Sequence, residues 1–91
     1  MNAEDPESRI RRMTMRSWRR GTKEMDLVLG PFADQHLRAM SPQVLDLYDS
    51  LLTENDQDLY AWVSGVLPVP ERYCALLSMV SSYSLSRPRD F

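Results

Sequence analysis

Few residues of this 91-residue chain are suited to catalysis. His36 is the only histidine and Cys74 the only cysteine, so neither has a second ligand for a zinc site or an evident partner for nucleophilic catalysis. Three glycines are too few for a dinucleotide-binding loop. We expect no catalytic residue, no metal and no cofactor held by the chain itself. The sequence predicts a protein that works by binding, with His36 on a helix face and Cys74 in the core.

The segment from Arg19 to Glu24 combines charged residues with a glycine. Gly21 can adopt positive φ at no steric cost, which predicts that it ends a first helix as its C′ residue. Glu24 would then lie in the first turn of the next helix, where its charge complements the exposed N–H groups. A helix corner and a contact point for another molecule would show the same pattern, and both interpretations remain open.

Charge is unevenly distributed, although the net charge is only −2. Residues 9–23 contain seven basic residues and no acidic one, whereas the remainder of the chain is acidic. Such a basic segment predicts contact with an acidic protein surface or with nucleic acid. Attachment of the first helix to a membrane is disfavoured because its apolar side is sparse.

Apolar residues recur at helical spacing through most of the chain, and no segment alternates with the period of a strand. We predict an all-α fold, a small antiparallel bundle of five short helices that forms a single domain over residues 7–84. Residues 1–6 are predicted to be a disordered tail and residues 85–91 a flexible one.

Capping residues predict several helix boundaries. Ser41 and Pro42 are expected at the N-cap and first position of helix three, and Asn55 or Asp56 at the cap of helix four. Pro70 is expected at the first position of helix five.

Helix two contains Gly30–Pro31, which predicts a kink or short break, although its apolar period continues through the pair and favours one helix. Four aromatic side chains are expected in the core or lining a groove: Tyr48, Tyr60, Trp62 and Tyr73.

No apolar run approaches the roughly 20 residues that span a bilayer, and the N-terminus lacks a hydrophobic leader segment. A single cysteine cannot form an internal disulfide, which favours a reducing compartment. We therefore expect a soluble, cytoplasmic protein that is not bound to a membrane.

Several motifs resemble the succinate dehydrogenase assembly factors, the flavinylation factors that carry an arginine-glycine-x-x-glutamate motif. The resemblance covers about residues 12–83 and rests on the order and spacing of these elements: Arg20-Gly21-x-x-Glu24, Met25-Asp26-Leu27, Pro31-Phe32, Leu51-Leu52 and Asp56-x-Asp58-Leu59-Tyr60-x-Trp62.

The resemblance implies a five-helix domain that binds the flavoprotein subunit of succinate dehydrogenase and promotes covalent attachment of FAD to it. FAD would belong to that partner, and whether fumarate reductase is also served is left open. The factor would be a chaperone and not an enzyme, and we expect it to be a monomer when free. The implied partner-binding residues are Arg19, Arg20, Gly21, Glu24, Asp56, Asp58 and Trp62.

Physical roles follow for the first motif. Arg20 would offer its guanidinium fork to carboxylates or carbonyls of the partner, and Gly21 would allow close approach of the two backbones. Glu24 would hold Arg20 in place or meet a basic group of the partner. The alternative function is a small helical regulator that binds nucleic acid phosphates through Arg9 to Lys23.

Overall fold

The computed structural model describes residues 5–86, with side chains described to residue 83, and these residues contain five α-helices and no strand. The predicted all-α bundle is confirmed. Predictions for residues 1–4 and 87–91 lie outside the described residues. The helices are α1 (Pro6–Ser17), α2 (Lys23–His36), α3 (Pro42–Leu51), α4 (Asp56–Ser64) and α5 (Cys74–Ser86), with 3₁₀ turns at Leu37–Ala39 and Glu71–Tyr73.

Side-chain caps begin the helices where the local sequence predicts them. The Ser41 hydroxyl accepts a hydrogen bond from the Val44 N–H at 3.3 Å, and Pro42 is the first residue of α3. The Asn55 side chain accepts from the Gln57 N–H at 3.0 Å and caps α4. The predictions for the starts of α3 and α4 are therefore confirmed.

The first helix begins at Pro6, inside the N-terminal tail that was predicted over residues 1–6. Asp5 is its N-cap and accepts a hydrogen bond from the Ser8 N–H at 3.2 Å, while Pro6 occupies the first turn. Proline is suited to this position because its missing N–H would have no helical partner there.

Helix α2 passes through Gly30 and Pro31 without a break, so the prediction of one helix is confirmed and the short break is not found. Gly30 is required by packing, because a Cβ atom there would overlap the indole ring of Trp18. The glycine therefore allows the end of α1 to lie directly against the α2 backbone.

The start of α5 differs from the prediction. Pro70 is the N-cap of the 3₁₀ turn, and α5 begins only at Cys74 and continues to Ser86, inside the predicted C-terminal tail. Cys74 is exposed, so its predicted place in the core is wrong. The 3₁₀ turn directs Tyr73 into the core instead.

Buried side chains from all five helices form one core. The predicted burial of Tyr48 and Tyr73 is confirmed and Trp62 packs partly against the core, whereas Tyr60 is 49% exposed and lies outside the core. The buried apolar residues are Met13, Met25, Leu29, Phe32, Ala33, Leu37, Tyr48, Leu51, Leu52, Leu59, Tyr73, Leu76, Leu77 and Val80.

Candidate functional site

Arg20 lies at the centre of the junction between α1 and α2 and is bonded to the loop that joins α3 to α4. Its Nε donates to the Asp56 carboxylate at 2.6 Å, and its two terminal nitrogens donate to the carbonyls of Leu52 at 2.7 Å and Glu54 at 2.8 Å. Its side chain is only 9% exposed and that of Asp56 14%. All three guanidinium nitrogens are therefore used within the chain.

This arrangement corrects the predicted role of Arg20. A guanidinium whose nitrogens all donate internally is not a free fork for the carboxylates of a partner. Arg20 instead joins the α1–α2 junction to the start of α4, and the Arg20 N–H adds a 2.5 Å hydrogen bond to Asp26 on α2. The structure thus brings together the two motifs that are about 35 residues apart in sequence.

Gly21 is needed at the junction for space and not for its backbone angle. Its N–H donates to the second oxygen of Asp56, and a Cβ atom would lie 2.7 Å from that oxygen. In residues 5–86 the glycine with positive φ is Gly65, at 83°, which ends α4. The predicted C′ role of Gly21 is therefore wrong, because α1 ends at Ser17 with Trp18 as its C-cap.

Glu24, Arg19 and Lys23 are exposed around this junction. Their side chains form no hydrogen bond or ion pair with the residues that the structure describes, so Glu24 does not hold Arg20 in place as one prediction had it. Beside them is an open groove of about 630 Å³, lined among others by Arg19, Gly21 and Asp56. Charged side chains that form no bond within the chain, next to a backbone held by several hydrogen bonds, are suited to contact with another protein.

Asp58 and Trp62 occupy different environments on α4. Asp58 is exposed in the first turn, where its charge complements the helix dipole. Trp62 is partly buried, with its ring 5.8 Å from that of Tyr73. Contact of either residue with a partner stays a prediction, as it does for the other residues of the predicted site.

A second set of polar contacts holds the α3–α4 loop from the other side. The Tyr73 hydroxyl donates to the Glu54 carboxylate at 2.8 Å and lies 3.0 Å from the Ser50 hydroxyl. Burial raises the pKa of Tyr73, and the Glu54 carboxylate contributes in the same direction. Because the Glu54 carbonyl accepts from Arg20, the loop is fixed between α1 and the start of α5.

Acids of α3 neutralise part of the basic segment. Arg9 lies 2.5 Å from Asp46, and Arg12 donates two hydrogen bonds to Asp49 at 2.9 and 3.1 Å. Hydrogen bonding to Arg12 lowers the pKa of Asp49. Residues 9–23 contain no acid, and these two arginines find their carboxylates 37 residues away in sequence.

This pairing removes the support for the nucleic-acid alternative. Phosphate binding requires basic side chains that are free to replace counterions, and several of those in Arg9 to Lys23 are bonded to carboxylates. Arg16 likewise donates to the Leu52 carbonyl at 3.1 Å.

Sequence reasoning did not find Leu52, Glu54 and Asp26 as partners of Arg20. Leu52 and Glu54 contribute backbone carbonyls, which every residue has, so side-chain type gives no signal. Asp26 lies in the Met25-Asp26-Leu27 motif. A carboxylate six residues after Arg20 was the only signal of this contact in the sequence.

The described residues offer no group of metal ligands, and the N–H groups at the junction are already bonded within the chain. No group of three His, Cys, Asp or Glu side chains among them could hold a metal ion. A dinucleotide needs free N–H donors for its diphosphate, whereas here Gly21 and Arg20 donate to the chain itself and the groove is lined by Asp56 and Glu54.

Comparison with known proteins gives a family match over most of the chain. Residues 11–83 match the model of a family described as flavinator of succinate dehydrogenase. The chain is 41% identical over 92 aligned residues to the mitochondrial succinate dehydrogenase assembly factor 2 of Meyerozyma guilliermondii, covering 96% of this chain and 68% of the relative.

Two further relatives carry similar names. Identity to the mitochondrial succinate dehydrogenase assembly factor 2 of Candida glabrata is 48% over 65 residues, or 68% of this chain and 42% of the relative. Identity to the mitochondrial assembly factor 2-A of Drosophila persimilis is 39% over 69 residues, or 74% and 43%. The chain therefore spans about half the length of several curated relatives that it matches.

These names correct one prediction. All three relatives are described as mitochondrial, which contradicts the cytoplasmic location predicted from the sequence. None of the helices within residues 5–86 is long and apolar enough to cross a membrane.

Proposed function

Since the chain belongs to the family described as flavinator of succinate dehydrogenase, we propose that it promotes covalent attachment of FAD to the flavoprotein subunit of that enzyme. The observation that carries the proposal is the rigid junction around Arg20. The Arg20–Asp56 pair and two carbonyl contacts hold the backbone at Gly21, while Glu24 stays exposed.

A rigid junction favours binding for an entropic reason. Ordering a flexible loop on association costs free energy, and a loop already held in its bound shape avoids that cost. Gly21 is exposed and lies beside an open groove, which a partner's chain can enter. Glu24 then adds an exposed charge that can pair with a basic group of the partner.

On this proposal the chain acts as a chaperone and donates no catalytic side chain. It binds the immature flavoprotein subunit and stabilises the arrangement in which attachment takes place, which lowers the barrier by positioning alone. FAD remains with the flavoprotein subunit, because the Arg20 and Gly21 N–H groups that could hold a diphosphate already donate within this chain. We further propose that the free chain is a monomer.

The test is co-expression of the flavoprotein subunit with and without this chain, followed by in-gel flavin fluorescence. Glu24→Ala is the informative variant, because its exposed side chain has no bond to the described residues and its loss should cost only about 0.3–1 kcal/mol of stability through the dipole of α2. Loss of an interface contact of this kind should lower covalent flavin about tenfold. Glu71→Ala, which removes another exposed acid, is the matched control and should behave as the wild type.

Two results would count against the proposal. Covalent flavin that is equally abundant without the chain would refute the function itself. Glu24→Ala and Gly21→Arg variants that both support normal flavinylation would leave the function and refute the site. Gly21→Arg alone is not decisive, because its side chain would also displace Asp56.

Purified protein tests the two remaining proposals. We expect light scattering after gel filtration to give the mass of one chain, 10.6 kDa, and the solution to be colourless. A flavin absorbance band at one flavin per chain would contradict the absence of a resident cofactor.

A further inference from the structure

The side of α1 that faces solvent carries an unusual combination of exposed residues. Arg11, Met15, Trp18 and Arg19 follow the spacing of one helix face and are all exposed, Met15 by 51% and Trp18 by 39%. We call these four residues the outer α1 face. Long apolar side chains at this level of exposure within a basic surface are typical of a site of protein contact.

The arginines of the outer α1 face differ from the other arginines of this segment. Arg9, Arg12, Arg16 and Arg20 all bond to α3 or to the loop after it. Among residues 5–86, the Arg19 side chain forms no hydrogen bond or ion pair, and the Arg11 side chain interacts with Glu7 only through electrostatic attraction. Their charges are therefore available to a partner, whereas those on the inner side of α1 serve the fold.

A shallow hollow lies next to this face and connects it with the Arg20–Gly21 junction. It has a volume of about 300 Å³ and is lined by Arg12, Met15, Arg16 and Arg19. Arg19 also lines the groove beside Gly21. A single partner could therefore contact both the junction and the outer α1 face.

We propose that the outer α1 face docks an acidic segment of the partner protein, with an apolar side chain against Met15 and carboxylates on Arg11 and Arg19. The inference rests on the proposed function and specifies the chemistry of the partner surface. Carboxylates suit these arginines because a guanidinium binds them through two parallel hydrogen bonds.

The surroundings favour a protein over a phosphate surface. Glu7 and Asp34 lie close to the face, since Glu7 pairs with Arg38 and Asp34 accepts a hydrogen bond from the Trp18 indole at 3.2 Å. Their negative charges oppose a continuous phosphate backbone or an anionic bilayer, which requires a cluster of free cations. A short acidic segment of protein carries fewer negative charges than either surface, so those acids repel it less.

The test measures binding of the purified apo flavoprotein subunit to the full chain by calorimetry at several salt concentrations. The variants Arg11→Gln and Arg19→Gln, singly and combined, should keep the wild-type melting temperature. The combined variant should bind about tenfold more weakly at low salt and show a smaller dependence on salt. Met15→Ser should weaken binding and leave the salt dependence unchanged, because it removes apolar contact only.

Ser78→Glu is the matched control, since it changes the net charge by the same amount as one arginine variant at an exposed position on α5. It should bind as the wild type does. Phosphatidylserine vesicles and a short DNA duplex serve as alternative ligands, and neither should bind the wild-type chain.

The outcomes separate this inference from the proposed function. A combined arginine variant that binds the flavoprotein subunit normally, while Glu24→Ala binds it weakly, would overturn the outer α1 face alone. If vesicles or DNA bind through the two arginines while the combined variant still binds the subunit normally, the outer α1 face belongs to that ligand. That result would also overturn the inference. A wild-type chain that does not bind the subunit would refute both.

Discussion

Replacing Asp56 with alanine should destabilise the fold more than replacing Asp58, the other acid in the first turn of α4. Asp56 accepts from the Arg20 guanidinium at 2.6 Å with one oxygen and from the Gly21 N–H with the other. Its removal leaves Arg20, whose side chain is 9% exposed, without a counter-charge. It also leaves the Gly21 N–H without its acceptor.

The magnitude follows from burial. Breaking a buried ion pair by removing one partner costs about 3–5 kcal/mol, and the partial exposure of Asp56 places it at the lower end, about 3 kcal/mol. A domain of this size loses about 4–8 °C of melting temperature per kcal/mol. The Asp56→Ala variant should therefore melt at least about 12 °C below the wild type.

The assay is thermal unfolding followed by circular dichroism, with Asp58→Ala as the control. Asp58 lies in the same first turn of α4 but is exposed, so its loss should cost only about 0.3–1 kcal/mol through the helix dipole. An Arg20→Ala, Asp56→Ala double variant should lose less than the sum of the two single losses. If Asp56→Ala melts within a degree or two of Asp58→Ala, the contacts of Asp56 with Arg20 and Gly21 do not hold the junction together.

Three further predictions concern the core and its edges. Gly30→Ala should destabilise the fold by about 1–3 kcal/mol despite a gain in helix propensity, because the new methyl group displaces the Trp18 ring. Tryptophan emission should shift to longer wavelength, and an unchanged spectrum would contradict this packing. Hydrogen bonding to Arg12 lowers the pKa of Asp49, so its stabilising contribution is present at neutral pH and lost as pH falls below about 4. The free energy of unfolding of Asp49→Asn should therefore depend less steeply on pH in the acid range than that of the wild type. An equally steep dependence would refute a stabilising role for the Asp49–Arg12 pair. Burial raises the pKa of Tyr48 to about 12, so its contribution is present below about pH 10 and is lost between about pH 10 and 12, by about 2–3 kcal/mol. Tyr48→Phe should be less sensitive over that range in alkaline denaturation, and equal sensitivity would contradict the role of burial.

Helix boundaries that depend on neighbouring residues were predictable. The Ser41 and Asn55 caps and the Gly65 end of α4 involve contacts within a few residues, and their geometry follows from residue type. The apolar periods likewise predicted which sides of the helices are buried, because burial follows the 3.6-residue repeat.

Predictions failed where a residue's environment is supplied by distant parts of the chain. Cys74 was expected in the core on residue type, but it lies on the outer side of its helix. Pro70 has the residue type of a helix start, yet the chain forms a 3₁₀ turn there so that Tyr73 reaches the core and the Glu54 carboxylate.

By itself, the sequence determined which residues make up the candidate site. They are the motif around Arg20 and Gly21 and the segment that begins at Asp56. Only the tertiary structure decided what those residues do, because one guanidinium can equally bind a partner or its own chain. Folding places Asp56 and two carbonyls around Arg20, and the same oxygen that accepts from Gly21 leaves no space for a side chain there. Electrostatic attraction acts through space and not along the chain, so the acidic partners of Arg9, Arg12 and Arg20 are known only after α3 and α4 are packed beside them.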